Sequence, residues 1–330
     1  MNHGGDLSEA SARYGAPAEG WLDLSTGINP NSYPLPELPA DCLMRLPDKA
    51  AIAELEAAAR AAYGVPDGAE IVAAPGTQAL IQVVPRLVAS SAVAIPGPTY
   101  SEHARAWGAA GHTLVEDANA AKVVVMVNPN NPDGARYSQE TLTNLVEGLS
   151  TRGGLLVIDE AFADAHPEVS FVAEAHRPAV LILRSFGKFY GLAGLRLGFA
   201  IGSPLTVRRL RDLLGPWAVS GPSIEVGRLA LSDRDWTART RAALQDAADG
   251  LDQVLASRGL EVIGGTSLFR LVRTETAHTL HDGLARRGIW TRVFAHTPDW
   301  LRLGLPAGEA ELHRLDAALS DLLDVARQAS

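Results

Sequence analysis

Short apolar runs without alternation recur through the first two thirds of the chain, at Glu70–Ala74, Ala92–Ile95, Val123–Val127, Leu155–Ile158, Val180–Leu183 and Leu197–Ile201. Strands that read this way are buried on both faces, as in a mainly parallel sheet covered by helices. Stretches with helical spacing lie between or before them: Ile52–Tyr63, closed by Gly64 where a left-handed cap is wanted, then Thr77–Val88, Tyr100–Gly108 and Ser138–Leu149. With a further strand at His112–Val115, the alternation predicts an α/β domain. From about Ser223 the texture changes to long helical segments, such as Asp235–Arg258, then strands at Leu260–Ile263, Leu268–Val272, Thr291–Phe294 and Leu301–Leu303, and a helix at Glu309–Arg327. That pattern predicts a smaller α+β domain. Prolines 17, 30, 34, 36, 39 and 47 break any periodicity over residues 15–49, which therefore read as an extended arm. The expected organisation is an arm with part of the small domain over 1–45, a large domain over 46–225 and the rest of the small domain over 226–330.

Composition narrows the class. With 47% hydrophobic residues in 330, the chain can bury a substantial core. Its net charge of -9 argues against a protein that neutralises nucleic acid or coats anionic membranes, so any bound anion must be met by local positive groups. One cysteine, Cys42, excludes an intrachain disulfide, and no Cys/His cluster has metal-ligand spacing, so no metal is expected. Neither a basic leader nor a long apolar span is present, and a cytoplasmic protein is expected.

Chemistry concentrates at the ends of the apolar runs. Lys188 follows one of them in Ser185-Phe-Gly-Lys188, ahead of Gly194-Leu-Arg196-Leu-Gly198. Desolvation in such surroundings lowers an ammonium pKa and yields the free amine of Schiff-base chemistry; the plainer reading is a lysine on a surface loop. Asp159 ends the run LLVID, where open α/β sheets place ligand sites; there it can bind a metal, cap a turn or pair with a cationic ring nitrogen. Ala74-Pro-Gly76-Thr77-Gln78 joins a strand to a helix start whose backbone N–H groups suit a phosphate, unless it is an ordinary connection. Ser185 and Arg196 flank the lysine and can complete an anion cup. Tyr100, after Pro98-Thr99, can stack on a flat ligand or pack in the core. Prolines in Asn128-Pro-Asn-Asn131-Pro-Asp-Gly134 rigidify a turn that can aim Asn131.

In this order and at this spacing, the segments closely resemble the fold-type I aminotransferase family, from about Gly15 to Pro306. The resemblance implies a large domain with a mainly parallel seven-stranded sheet between helices, a smaller α+β domain, a homodimer, and pyridoxal 5'-phosphate as cofactor. It makes Lys188 the Schiff-base lysine, Asp159 the partner of the pyridine nitrogen, Tyr100 the stacking ring and Asn131 the donor to the cofactor's 3-oxygen. Gly76, Thr77, Gln78, Ser185 and Arg196 correspond to the phosphate cup, and His103 to a group that orients Asp159. Arg302, in Trp300-Leu-Arg302-Leu-Gly-Leu-Pro306, looks like the arginine for the substrate carboxylate, which a guanidinium fork fits. Two positions depart from the family pattern: Phe162 stands where Asp-x-x-Tyr would place a hydroxyl, and Leu46 precedes Pro47-Asp48 where a tyrosine is usual.

His3-Gly4-Gly5-Asp6, Asp23-Leu-Ser-Thr-Gly-Ile-Asn29-Pro and Asp159-Glu-Ala-Phe162 resemble the cobalamin-pathway branch, which holds threonine-phosphate decarboxylases and is close to the histidinol-phosphate aminotransferases. A phosphorylated amino-acid substrate is implied, met by His3, Gly4, Gly5, Asn29, Asn131, Arg292 and Arg302. Decarboxylation of L-threonine O-3-phosphate is the favoured reading. Transamination of histidinol phosphate or another phosphorylated amine, and a non-catalytic cofactor-binding scaffold, are the alternatives.

Overall fold

A computed structural model describes residues 4–328 and divides the chain into two units. The larger comprises Ser32–Asn131 and Ala135–Ala238; the smaller comprises the segment up to Asn31, Pro132–Gly134 and the chain from Arg239.

Seven strands of the larger unit form one sheet in the order Glu70–Ala74, Gly198–Gly202, Val180–Ser185, Leu155–Asp159, Val123–Val127, Ala92–Ala94, Thr113–Val115. All neighbours are parallel except Gly198–Gly202, which is antiparallel to both of its own. Val123–Val127 and Leu155–Asp159 are buried at every position, as unalternating apolar runs require. Because these strands run in parallel register, Val127, Asp159 and Ser185 finish at the same edge. Helix Lys49–Tyr63 begins on Asp48, whose carboxylate accepts from Ala51 N at 2.8 Å, and stops at Gly64 with φ 66. The helix expected over 77–88 ends at Val83 and continues as a 3-10 turn, Val84–Leu87: Pro85 has no N–H to sustain the α-helical ladder.

The smaller unit carries a four-stranded antiparallel sheet ordered Arg292–Phe294, Thr297–Gly304, Phe269–Arg273, Glu261–Thr266. From Arg239 on, the long helix Arg234–Ser257 buries Thr240, Leu244, Ala248, Leu251 and Leu255, spaced by three and four along one face. Residues 15–49 are not wholly extended. Leu22–Asp23 pairs in parallel with Ile289–Trp290, and Asp41–Met44 forms a helical turn. Upstream, Leu7–Tyr14 is a helix that apolar spacing does not reveal; Asp6 caps it by accepting from Glu9 N at 2.9 Å, and Trp21 Nε1 ties it down by donating to Ser11 Oγ at 2.8 Å. Helices Pro204–Leu214 and Ala277–Ala285 are likewise additions to the sequence reading, and the helical texture expected from about Ser223 opens with Gly221–Ser232. Among the described residues no helix is long and apolar enough to cross a membrane, and no cluster of His, Cys, Asp and Glu is set to hold a metal ion.

His281 is buried in the smaller unit, its Nδ1 sharing a hydrogen bond of 2.8 Å with Thr291 Oγ1. Burial pulls its pKa down to about 4. Between the unfolded value near 6.5 and that figure, the unfolded chain binds a proton that the folded chain refuses, so stability is lost as the pH is lowered through this window and levels off below it. We expect a loss on the order of 3 kcal/mol from this residue, read by urea unfolding at pH 7 and pH 4.5. An equal pH slope in His281→Asn would remove the attribution.

Candidate active site

Each unit carries one group of the residues singled out by sequence. In the larger unit, Asp159 ends its strand buried, and its Oδ2 lies 2.9 Å from His103 Nε2 while Oδ1 accepts from Ala161 N at 3.1 Å. His103 is itself buried on helix Ser101–Ala109. That contact fixes the direction of the carboxylate. Lys188 sits half-buried on the short helix Phe186–Phe189 that follows Ser185, with Nζ 5.9 Å from the ring centroid of buried Phe162. Phe162 therefore offers the lysine a ring face and no hydroxyl.

The turn before Thr77 is built for close approach. Gly76 has φ 83, and a Cβ there would lie 2.8 Å from Arg196 Nη2, so the guanidinium rests directly over the glycine. Arg196 reaches it from a left-handed conformation, φ 52, and donates from Nη1 to Ala193 O at 2.9 Å. Gly198, paired with both Ala74 and Ser185, lets the helix start cross the sheet: a Cβ there would meet Thr77 N at 2.6 Å. Gly76, Thr77, Ser185 and Arg196 are thus brought together. Two members of the expected cup are occupied otherwise. Thr77 Oγ1 donates to Arg184 O at 3.1 Å, and the Gln78 side chain turns to Tyr100 and Glu102. What both can offer an anion is their backbone N–H. Tyr100 is half-buried, its ring edge-on to His103 at 6.2 Å. Of the three asparagines in the proline turn, Asn128 and Asn130 are buried and hold the loop: Asn128 Oδ1 accepts from Tyr137 N at 3.1 Å, and Asn130 Nδ2 donates to Pro98 O at 3.0 Å. Asn131 is the half-buried one.

In the smaller unit, Arg302 is buried on strand Thr297–Gly304 and stands directly opposite Arg292 in the antiparallel pairing, on one face of the sheet. Burial first, and the charge of Arg292 second, pull the Arg302 pKa down to about 10, against the attraction of Asp23. Arg302 Nη2 donates to Ser25 O at 2.8 Å. The N-terminal segment reaches the same serine: Gly5 N donates to Ser25 Oγ at 2.7 Å, and that hydroxyl donates to Asp23 Oδ1 at 2.6 Å. Gly4 and Gly5 therefore lie beside the arginine, with the Gly5 amide engaged by Ser25 and not left for a ligand. His3 lies outside the described residues. Asn29, buried, accepts at Oδ1 from Asn31 N at 2.9 Å.

The pattern of the family described as aminotransferase class I and II matches residues 43–318. The chain is 43% identical to a threonine-phosphate decarboxylase of Pseudomonas aeruginosa, over 97% of each protein. It is 44% identical to another from a Sinorhizobium species, over 96% of this chain and 97% of the relative. The chain belongs to the aminotransferase class I and II family. Among solved structures, a histidinol-phosphate aminotransferase from Sinorhizobium meliloti in complex with pyridoxal-5'-phosphate matches with a TM-score of 0.82 at 21% identity, covering 96% of this chain and 94% of that one. An L-threonine-O-3-phosphate decarboxylase from Porphyromonas gingivalis matches with 0.76 at 19%, covering 92% and 99%. The fold is that of the fold-type I enzymes of this family, and pyridoxal 5'-phosphate is the family's cofactor. The donor set fits it: an amine at Lys188, a buried carboxylate for a ring nitrogen at Asp159, and a glycine cradle under a guanidinium for a phosphate.

Sequence reading missed the charge cluster behind this family site. Buried Arg184 donates from Nη1 to Glu160 Oε2 at 2.9 Å and from Nη2 to Asp164 Oδ1 at 2.7 Å, and its guanidinium lies 4.3 Å from the Tyr63 ring centroid. The signal was present: an arginine interrupting a fully apolar strand, and acids one and five residues after Asp159. Replacing Arg184 by methionine strands two buried carboxylates, and we expect a loss of about 3–5 kcal/mol in urea unfolding of the protein. A loss under about 1 kcal/mol would show that the acids find other partners.

Proposed function

We propose that this protein is a pyridoxal-phosphate-dependent L-threonine-O-3-phosphate decarboxylase, releasing CO2 and (R)-1-aminopropan-2-yl phosphate. Among features of the fold, the Arg292–Arg302 pair carries the reading. Two guanidinium groups directly opposite on one sheet face repel, and an anion against both offsets that repulsion. A substrate with a carboxylate and a phosphate supplies anions for both, Arg302 taking the carboxylate and Arg292 the phosphate. Full-length identity of 43–44% to two threonine-phosphate decarboxylases supports the same substrate.

In the larger unit, Lys188, Asp159, Tyr100, Asn131, Ser185, Arg196 and the Gly76–Thr77–Gln78 backbone would hold the cofactor. When bound, the cofactor supplies an electron sink for the pair left on the α-carbon as one of its bonds breaks. Asp159, steered by His103, keeps a proton on the ring nitrogen. Arg302 would hold the carboxylate and Arg292 the phosphate of the substrate, and which groups are fixed selects which bond to the α-carbon breaks. The carbon–carbon bond breaks, CO2 departs, and the Lys188 ammonium returns a proton to the α-carbon. The sum is redox-neutral and needs no 2-oxo acid. A cytoplasmic setting belongs to the proposal, supported by the lone cysteine.

The active form is proposed to be a homodimer. Leu35, Leu43, Met44 and Leu46 are 65–73% exposed along one short stretch, which supports burial against a second copy. Incubating holoenzyme with threonine phosphate, with and without 2-oxoglutarate, should release CO2 equally in both and form no glutamate, and Lys188→Ala should do neither. Strict dependence on the oxo acid would assign transamination instead. Light scattering should return twice the chain mass, and Met44→Glu with Leu46→Glu should halve it; a dimer untouched by both changes would move the interface elsewhere.

A further inference from the structure

Tyr100 is held by a chain of side chains that fixes which way its hydroxyl points. Glu102, two residues on, is buried although ionic; its Oε1 accepts from Arg105 Nη1 at 3.3 Å and its Oε2 accepts from Gln78 Nε2 at 2.9 Å. A carboxylate paired with an arginine offers only acceptors, so it draws the NH2 end of the Gln78 amide toward itself. The Gln78 Oε1 must then face the other way, where it accepts the Tyr100 hydroxyl at 3.2 Å. With its own hydrogen given to Gln78, the phenol oxygen turns lone pairs toward any further neighbour. A direction set by an ionised group at one end of a chain is held more firmly than one set by a neutral amide, since each bond polarises the next.

We propose that Glu102 is a positioning residue that, through Gln78, keeps Tyr100 an acceptor toward the bound cofactor and substrate. This rests on the reading of Tyr100 as the ring facing the cofactor. Exchanging the carboxylate for an amide, Glu102→Gln, removes the constraint: the Gln78 amide can turn over, and its NH2 then meets the phenol oxygen.

The test is a double-mutant cycle on the cofactor-loaded protein, following the visible absorbance of the lysine-bound cofactor against pH in wild type, Glu102→Gln, Tyr100→Phe and the double variant. Glu102→Gln should move the midpoint of that titration by about half a unit or more and lower kcat/KM roughly 5-fold, mainly through kcat. In the Tyr100→Phe background both changes should vanish, because the hydroxyl that carries them is gone. Glu102→Asp, which keeps the charge, should sit nearer to wild type. If Glu102→Gln does not fold, Gln78→Met breaks the chain at its middle and must show the same dependence on Tyr100. Equal, additive shifts in both backgrounds, or an unmoved midpoint in a folded and loaded Glu102→Gln protein, would overturn the relay. A Tyr100→Phe protein with the wild-type spectrum and titration would instead overturn the placement of Tyr100 against the cofactor.

Discussion

The larger unit's site depends on a charge that had to be buried together with its partners. Arg184 sits on a strand whose other core positions are apolar, and its guanidinium lies between Glu160 and Asp164. Taking such ions out of water costs several kcal/mol each, so the arginine and the two acids keep that charge compensated only while they stay together. Ser185 follows Arg184, Asp159 precedes Glu160, and the Arg184 carbonyl accepts the Thr77 hydroxyl at the turn after Gly76. One electrostatic requirement thus ties three segments of sequence, far apart along the chain, into a fixed edge of the sheet.

In the smaller unit two arginines, Arg292 and Arg302, face each other across neighbouring strands, and burial with their mutual repulsion lowers the pKa of Arg302. Around Arg302, Ser25 accepts through its carbonyl and donates its hydroxyl to Asp23, while Gly5 ties the N-terminal segment to that hydroxyl. Like charges paired directly across neighbouring strands repel, and an anion held against both eases that repulsion.

Local order along the chain made much of this legible. Unalternating apolar runs located six of the seven strands of the large sheet to within a few residues, since a strand covered on both faces has no polar positions to disguise it; Thr113–Val115, largely exposed, is the exception. Strand ends pointed to Asp159 and Lys188, and the structure places Asp159 last on its strand and Lys188 on the short helix that follows another. A helix whose stability is tertiary escaped: Leu7–Tyr14 is held by Trp21 and the packing of Ala10 against Trp290.

By itself the sequence determined the order of elements, the residue types at the strand ends and the kinship with pyridoxal-phosphate enzymes, all of which rest on near neighbours and spacing. Only the tertiary structure decided how each donor is used. Thr77, Gln78 and Gly5 read alike as phosphate ligands, yet their partners are Arg184, Tyr100 with Glu102, and Ser25. It also decided that Arg292 and Arg302 share a sheet face, and that Arg302 meets Ser25, 277 residues away. A hydrogen-bond donor serves one strong acceptor at a time, and which acceptor arrives is a property of distant segments meeting, on which local periodicity carries no information.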